Sequence, residues 1–272
     1  MKEQPLPSPP LQAGEGARAW IATRGNPLRG ELTVPGDKSV SHRAIMFGAL
    51  ADGSTRIDGF LEGEDTRATA AIFAQMGVRI EAPSEGVRIV HGVGLHSLQP
   101  PAGPLDCGNA GTAMRLLAGL LAAQRFDSVL VGDASLSKRP MRRVIEPLQA
   151  MGAIIESNDG RAPLRIRGGQ SLQGIEYALP VASAQIKSAL LLAGLYAQGE
   201  THVREPHPTR DYSERMLAAF GASCAFVPGE AALLGGFPLQ ARDVSVPADF
   251  SSAAFFIVAA SIVPGSELVL RK

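Results

Sequence analysis

The chain has 272 residues, 45% hydrophobic and 19% charged, and its 26 Lys+Arg balance its 26 Asp+Glu. Zero net charge and only 5% aromatics argue against polyanion binding and base stacking, so no nucleic-acid partner is expected. Apolar runs are broken by Gly, Lys or polar residues well short of the roughly 18 residues of a membrane span, so no membrane partner is expected.

Residues 1–18 are rich in Pro and lack the apolar core of a secretory signal; they are expected to form a disordered tail. Cys107 and Cys224 lie far apart with no partner at ligand spacing. They read as reduced thiols of a cytoplasmic protein, without a metal site.

The first informative stretch is VPGDKSVSHRAIMFGAL (34–50). A short strand ends at Pro35-Gly36, and apolar residues then recur at Val40, Ala44, Phe47 and Leu50 with helical spacing. Asp37 or Ser39 suits the N-cap, and the first turn has unpaired backbone N–H groups. Lys38, Ser39, Ser41 and Arg43 equip this helix start as an anion site. It is not a triphosphate-binding loop, because Asp37 and Glu31 stand where that motif needs Gly.

The same phrase recurs down the chain. A polar turn leads into an apolar helix near 41–50, 111–123, 183–197 and 251–263, and a Gly or polar break then precedes a strand. More amphipathic helices are expected at 64–77, 139–152 and 210–221, each closed by a Gly (Gly77, Gly152, Gly221), with Asp65, Pro140 and Asp211 at N-cap or first-turn positions. A spacing near 70 residues suits a repeated α/β module. Helices apolar on every side should be buried, with the amphipathic ones outside. The fourth copy has its apolar helix and the strand 267–271 and then no closing helix, so the chain is expected to end inside a module.

CGNAGTAMR (107–115) is a Gly-rich turn into a buried helix, where backbone can approach a ligand near Gly111. SLSKRPMRR (135–143) gathers Lys138, Arg139, Arg142 and Arg143, with Arg125 earlier, around a helix expected to start at Pro140. Cations oppose the dipole at that end, so Arg139 is the candidate for an anion. SAQIKS (183–188) offers Ser183 and Gln185 as neutral donors, and Lys187 is expected to snorkel. Arg210 precedes the Asp211 cap. The five His show no triad-like or metal-like spacing.

Taken in order, VPGDKSVSHRA, GNAGTAMR, SLSKRPM, SAQIKSALLLAGL, PTRDYSERML and VPADFSSAAFF resemble the 5-enolpyruvylshikimate-3-phosphate (EPSP) synthase family, from about Trp20 to the end. The resemblance implies an α/β, two-lobed fold of repeated βαβαββ modules. Here 37–245 would form the complete shikimate-3-phosphate-binding lobe, and 19–36 with 246–272 would be parts of an incomplete first lobe.

It also implies transfer of the enolpyruvyl group of phosphoenolpyruvate to the 5-hydroxyl of shikimate-3-phosphate, through a tetrahedral adduct with release of phosphate. No cofactor is implied, and a monomer is expected. By this resemblance Lys38 is catalytic and touches both substrates. Ser39, Arg43, Ser183, Ala184, Gln185 and Arg210 hold shikimate-3-phosphate; Gly111, Arg139 and Gln185 lie on the phosphoenolpyruvate side. Family members exceed 400 residues and carry their catalytic carboxylates beyond the stretch present here. The chain alone is therefore expected to bind shikimate-3-phosphate weakly with little turnover, the alternative being a remnant that only binds.

Overall fold

The computed structural model describes residues 25–272, so the expected tail at 1–18 lies outside the described residues. Three modules of one pattern follow each other. The first runs α1 (Lys38–Leu50), β2 (Ala51–Asp58), α2 (Glu64–Gln75), β3 (Arg79–Ser84) and β4 (Val87–Val93), after an opening strand β1 (Arg29–Thr33). The second runs β5 (Leu105–Asp106), α3 (Gly111–Ala122), β6 (Ser128–Val131), α4 (Arg142–Ala150), β7 (Ile154–Asn158) and β8 (Arg161–Arg167). The third runs β9 (Glu176–Ala178), α5 (Ala184–Gly194), β10 (Glu200–Arg204), α6 (Tyr212–Ala219), β11 (Ser223–Val227) and β12 (Glu230–Leu234). Two short strands, β13 (Leu239–Gln240) and β14 (Val244–Ser245), precede α7 (Phe250–Ile262) and β15 (Glu267–Arg271).

The sheets repeat one order. In the second module it is β5-β6-β8-β7, and in the third β9-β10-β12-β11, with the first-named pair parallel and the rest antiparallel. The first module lacks a leading strand of its own. β13 and β14 come back to pair parallel with β2, completing the order β13-β2-β4-β3. The last strands of the third module's tail therefore close the first module's sheet.

Burial follows the apolar pattern. In α1 every residue from Val40 to Leu50 is buried, and α3 and α5 are buried along nearly their whole length. A fully buried side chain such as Phe47 contributes roughly 1.5–3 kcal/mol over its exposed state. α3 and α5 touch through Gly119, where an added Cβ would lie 2.0 Å from the Ala189 carbonyl oxygen. α2 and α6 bury one face against α1, and α4 buries one against α3 and α5; Phe220, at the end of α6, meets Phe47 of α1 at 6.0 Å between ring centroids. Gly77, Gly152 and Gly221 end these outer helices at φ of 87°, 101° and 87°, the left-handed region that Gly enters without a Cβ penalty.

The structure refines two helix starts, those of α2 and α6, and corrects two expectations, the start of α4 and the burial of α7. α2 is capped at Gly63, where the Thr66 hydroxyl satisfies the cap backbone, so Asp65 sits inside the first turn. α4 begins at Arg142 rather than Pro140, because residues 136–138 already form a 3-10 turn and Arg139 is extended after it. Asp211 stands at the N-cap of α6 as expected but makes no cap bond; its carboxylate accepts from Arg215 one turn on. Finally, α7 is apolar all round yet only Ala253 is buried, with Phe250, Phe255 and Ile262 each more than 70% exposed. Its apolar faces have no second helical layer against them among the described residues. β1 pairs parallel with β15, joining the two ends of the described chain.

Candidate functional site

Four helix starts meet. Asp37 caps α1 by accepting the Val40 N–H at 2.8 Å, which presents Lys38 and Ser39 in the first turn and Arg43 one turn later. Arg43 is only 3% exposed, and its guanidinium is spread across three elements. Nε donates to Ser213 Oγ of α6 at 2.7 Å, Nη2 to Ser188 Oγ of α5 at 2.8 Å, and Nη1 to the Ser39 carbonyl at 3.0 Å. Burial, partly offset by Glu214 and reinforced by Arg210, pulls its pKa down to about 10, so it remains charged at neutral pH.

Ser183 caps α5 through its hydroxyl, which accepts the Ile186 N–H. Gln185 then crosses to α3: its Nε2 donates to Thr112 Oγ1 at 2.9 Å, and its Oε1 accepts from Arg115 Nη1 at 3.1 Å. At Gly111 a Cβ would stand 2.9 Å from Arg115 Nη1 and 3.0 Å from Arg139 Nη1. The missing side chain is what lets two guanidiniums close over the start of α3. Arg139 donates to Asn109 Oδ1. Burial first, then the neighbouring Arg139 and Arg143, hold the Arg115 pKa below its ordinary value. Arg210 stands before α6 with its guanidinium 5.9 Å from the Tyr212 ring centroid.

Ser39, Arg43, Thr112, Ala184, Gln185, Arg210 and Tyr212 line one recess. Of the expected residues, Ser39, Arg43, Ala184, Gln185 and Arg210 are brought together there, and Gly111 and Arg139 adjoin it through Arg115. Ser183 spends its side chain on the cap. Lys38 adjoins Ser39 in sequence but does not line the recess: its Nζ lies 3.1 Å from Asp65 and its side chain is 51% exposed. Arg125 is a correction, because it lies at the opposite ends of α3 and α5, lining a hollow with His96, Gln124 and Tyr196. Lys187 is another; its side chain is 2% exposed and clasped by Glu205 and Glu214 rather than snorkelling to water.

Arg115, Thr112 and Tyr212 were not singled out from the sequence. Arg115 sits four residues after Gly111, on the same helix face, and that spacing is the signal that could have found it. The charge pattern of the site is its main chemical feature. Arg43, Arg115 and Arg139 donate to neutral oxygens, and among the described residues none of them, nor Arg210, has a carboxylate within 4.0 Å. In a chain of zero net charge, these four cations gather where four helices also aim their positive ends. Such a place is suited to a multiply charged anion.

Comparison with known proteins agrees. The family model of EPSP synthase (3-phosphoshikimate 1-carboxyvinyltransferase) matches residues 22–272. Relatives named 3-phosphoshikimate 1-carboxyvinyltransferase are 75% identical in Xanthomonas campestris pv. campestris strain B100 and 74% in Xanthomonas oryzae pv. oryzae strain PXO99A. Each alignment runs over 253 residues, 93% of this chain and 58% of the relative. A solved structure of EPSP synthase from Acinetobacter baumannii is similar with a TM-score of 0.84 at 57% identity, covering 90% of this chain and 56% of that one. The chain thus spans a little over half the length of the proteins it matches. With ordered motifs, repeated modules and cationic helix starts agreeing with the matches, the chain belongs to the EPSP synthase family.

Proposed function

We propose that residues 37–245 form a lobe that binds shikimate-3-phosphate in the recess between α1, α3, α5 and α6. The site serves transfer of the enolpyruvyl group of phosphoenolpyruvate to the 5-hydroxyl, with release of phosphate. The observation that carries this reading is the convergence of Arg43, Arg115, Arg139 and Arg210 on one face without carboxylate partners among the described residues. Family membership supports it.

In this reading Ser39, Arg43, Ser183, Ala184, Gln185 and Arg210 hold shikimate-3-phosphate. Gly111, Arg139 and Gln185, with Arg115 added from the geometry, receive phosphoenolpyruvate. The 5-hydroxyl oxygen adds to the central carbon of the enol and gives up its proton, while the methylene carbon gains one, so the addition consumes no net proton. Loss of phosphate and of a methyl proton then restores the double bond. Lys38, at the positive end of α1, is the group proposed to supply or balance that proton. Its ammonium must first exchange Asp65 for substrate, and it acts chiefly where charge develops. The protein works as a cytoplasmic monomer without a cofactor.

Isothermal titration of the chain with shikimate-3-phosphate tests the reading, alongside phosphate release with both substrates present. Arg210→Ala and Arg43→Met should each weaken binding at least about tenfold, and Lys38→Met should lower phosphate release far more than affinity. Binding by the unaltered chain that is absent, or unaffected by either Arg substitution, would overturn it.

A further inference from the structure

Beside the recess lies a buried ionic cluster that takes no part in the proposed chemistry. Glu205 follows β10 with its side chain 0% exposed, and the hydrogen bonds it accepts come from two parts of the site's frame, α5 with its cap and the turn before α6. Oε1 accepts the Ser183 backbone N–H at 3.0 Å and the Thr209 hydroxyl at 2.7 Å. Oε2 accepts from Lys187 Nζ at 2.6 Å and lies 2.8 Å from the same Thr209 hydroxyl. Lys187, on α5, also reaches Glu214 of α6 at 2.7 Å. Ser183 is the cap from which Ala184 and Gln185 enter the recess, and Thr209 immediately precedes Arg210.

Buried ion pairs are poor stabilisers, since well-packed apolar residues of similar volume are often as good. What such a cluster supplies is direction: charge-assisted bonds are short and about twice as strong as neutral ones. Burial alone would lower the Lys187 pKa, but its bonds to Glu205 and Glu214 outweigh that and raise it. Burial would raise that of Glu205, but Lys187 and Thr209 hold it below its ordinary value. Both stay ionised at neutral pH.

We infer that Glu205, oriented by Lys187, is a positioning residue that fixes the α5 start and the Thr209–Arg210 turn relative to one another. It thereby sets the geometry with which Gln185 and Arg210 meet one anionic ligand. The inference rests on the reading that these two segments share a ligand. Glu205 itself touches none; it lies behind the recess. Replacing its carboxylate by an amide keeps the size but turns an NH2 group toward Lys187 or the Ser183 N–H, donor against donor.

Hydrogen exchange of the ligand-free chain, followed by mass spectrometry, tests the fixing. Glu205→Gln should speed exchange at least about tenfold in peptides covering both 180–186 and 207–212, and leave 105–115 unchanged. Should that variant fail to fold, the isosteric Thr209→Val should loosen 207–212 alone. Unchanged exchange in those segments overturns the inference.

Titration with shikimate-3-phosphate supplies a readout that general destabilisation would not move. Thr209→Val should weaken binding about tenfold in the otherwise unaltered chain and in an Arg139→Ala background. It should weaken binding under threefold in an Arg210→Ala background, because its effect runs through Arg210. A full tenfold cost in that last background overturns it as well. A chain that takes up no shikimate-3-phosphate at all sinks the ligand assignment, while the exchange result still judges the positioning.

Discussion

Gly119→Ala sets two effects of opposite sign against each other. By helix propensity alone, Ala in place of a mid-helix Gly stabilises by about 1 kcal/mol. In this fold the new methyl would stand 2.0 Å from the Ala189 carbonyl oxygen, 2.7 Å from its carbon and 3.0 Å from Ala189 Cα. Those are backbone atoms, so no side chain can swing aside. Reaching even a 3.0 Å contact requires α3 and α5 to separate by about 1 Å. Overpacking of this kind costs about 1–3 kcal/mol or more, so the expected sign is net destabilisation, near 1–2 kcal/mol.

The same displacement reaches the recess. The starts of α3 and α5 are joined by Gln185–Thr112 at 2.9 Å and Arg115–Gln185 at 3.1 Å, and another 1 Å takes both beyond hydrogen-bond reach. Affinity for shikimate-3-phosphate should then fall about 10- to 100-fold. Urea unfolding followed by circular dichroism gives the stability, and calorimetric titration gives the affinity. Gly103→Ala is the control, because nothing lies within 4 Å of its added Cβ, and it should leave both unchanged. A Gly119→Ala chain as stable as the parent, binding within twofold of it, would refute the packing argument.

Three further outcomes are expected. His42 is buried, with Nδ1 2.7 Å from Thr69 Oγ1, and burial, against a pull from Asp65, lowers its pKa to about 4. The unfolded chain therefore takes up this proton below about pH 6.5 while the fold does not. The parent should lose about 2 kcal/mol in urea between pH 7 and 5 from this group, and His42→Gln should lose that part of the slope. Lys187→Met strands two buried carboxylates and should cost about 3–5 kcal/mol near pH 7. Since Glu205 is depressed and Lys187 raised, the pair's contribution is full between about pH 4.5 and 10.5 and fades outside; a deficit unchanged at pH 3.5 would count against it. Burial, with a push from Asp106, lifts the Cys107 thiol to about 12, so a disulfide reagent at pH 8 should modify it only after unfolding.

The motifs carrying polar helix starts were legible because each is local: a cap, a Gly and an apolar run with a fixed period. The closing glycines at 77, 152 and 221 were likewise legible, being demanded by left-handed backbone in three equivalent places. Lys187 was misread because its partners, Glu205 and Glu214, lie in other elements, and no spacing within SAQIKS announces them. Arg125 was grouped by sequence proximity with residues that stand at the opposite end of α3. α7 failed the burial expectation because an apolar helix is buried only if something else covers it.

The pairing of β13 and β14 with β2 has a consequence for synthesis. Leu239 sits beside Ala51, 188 positions earlier, so the opening sheet keeps one raw margin until that stretch has been made. At a ribosomal pace of about 5–20 residues per second the wait is roughly 10–40 s. During it β2 offers free amide and carbonyl groups to any passing strand. Cleavage or mistranslation just upstream of Leu239 would therefore harm the part of the molecule born first, and the damage should show as aggregation rather than as a missing tail.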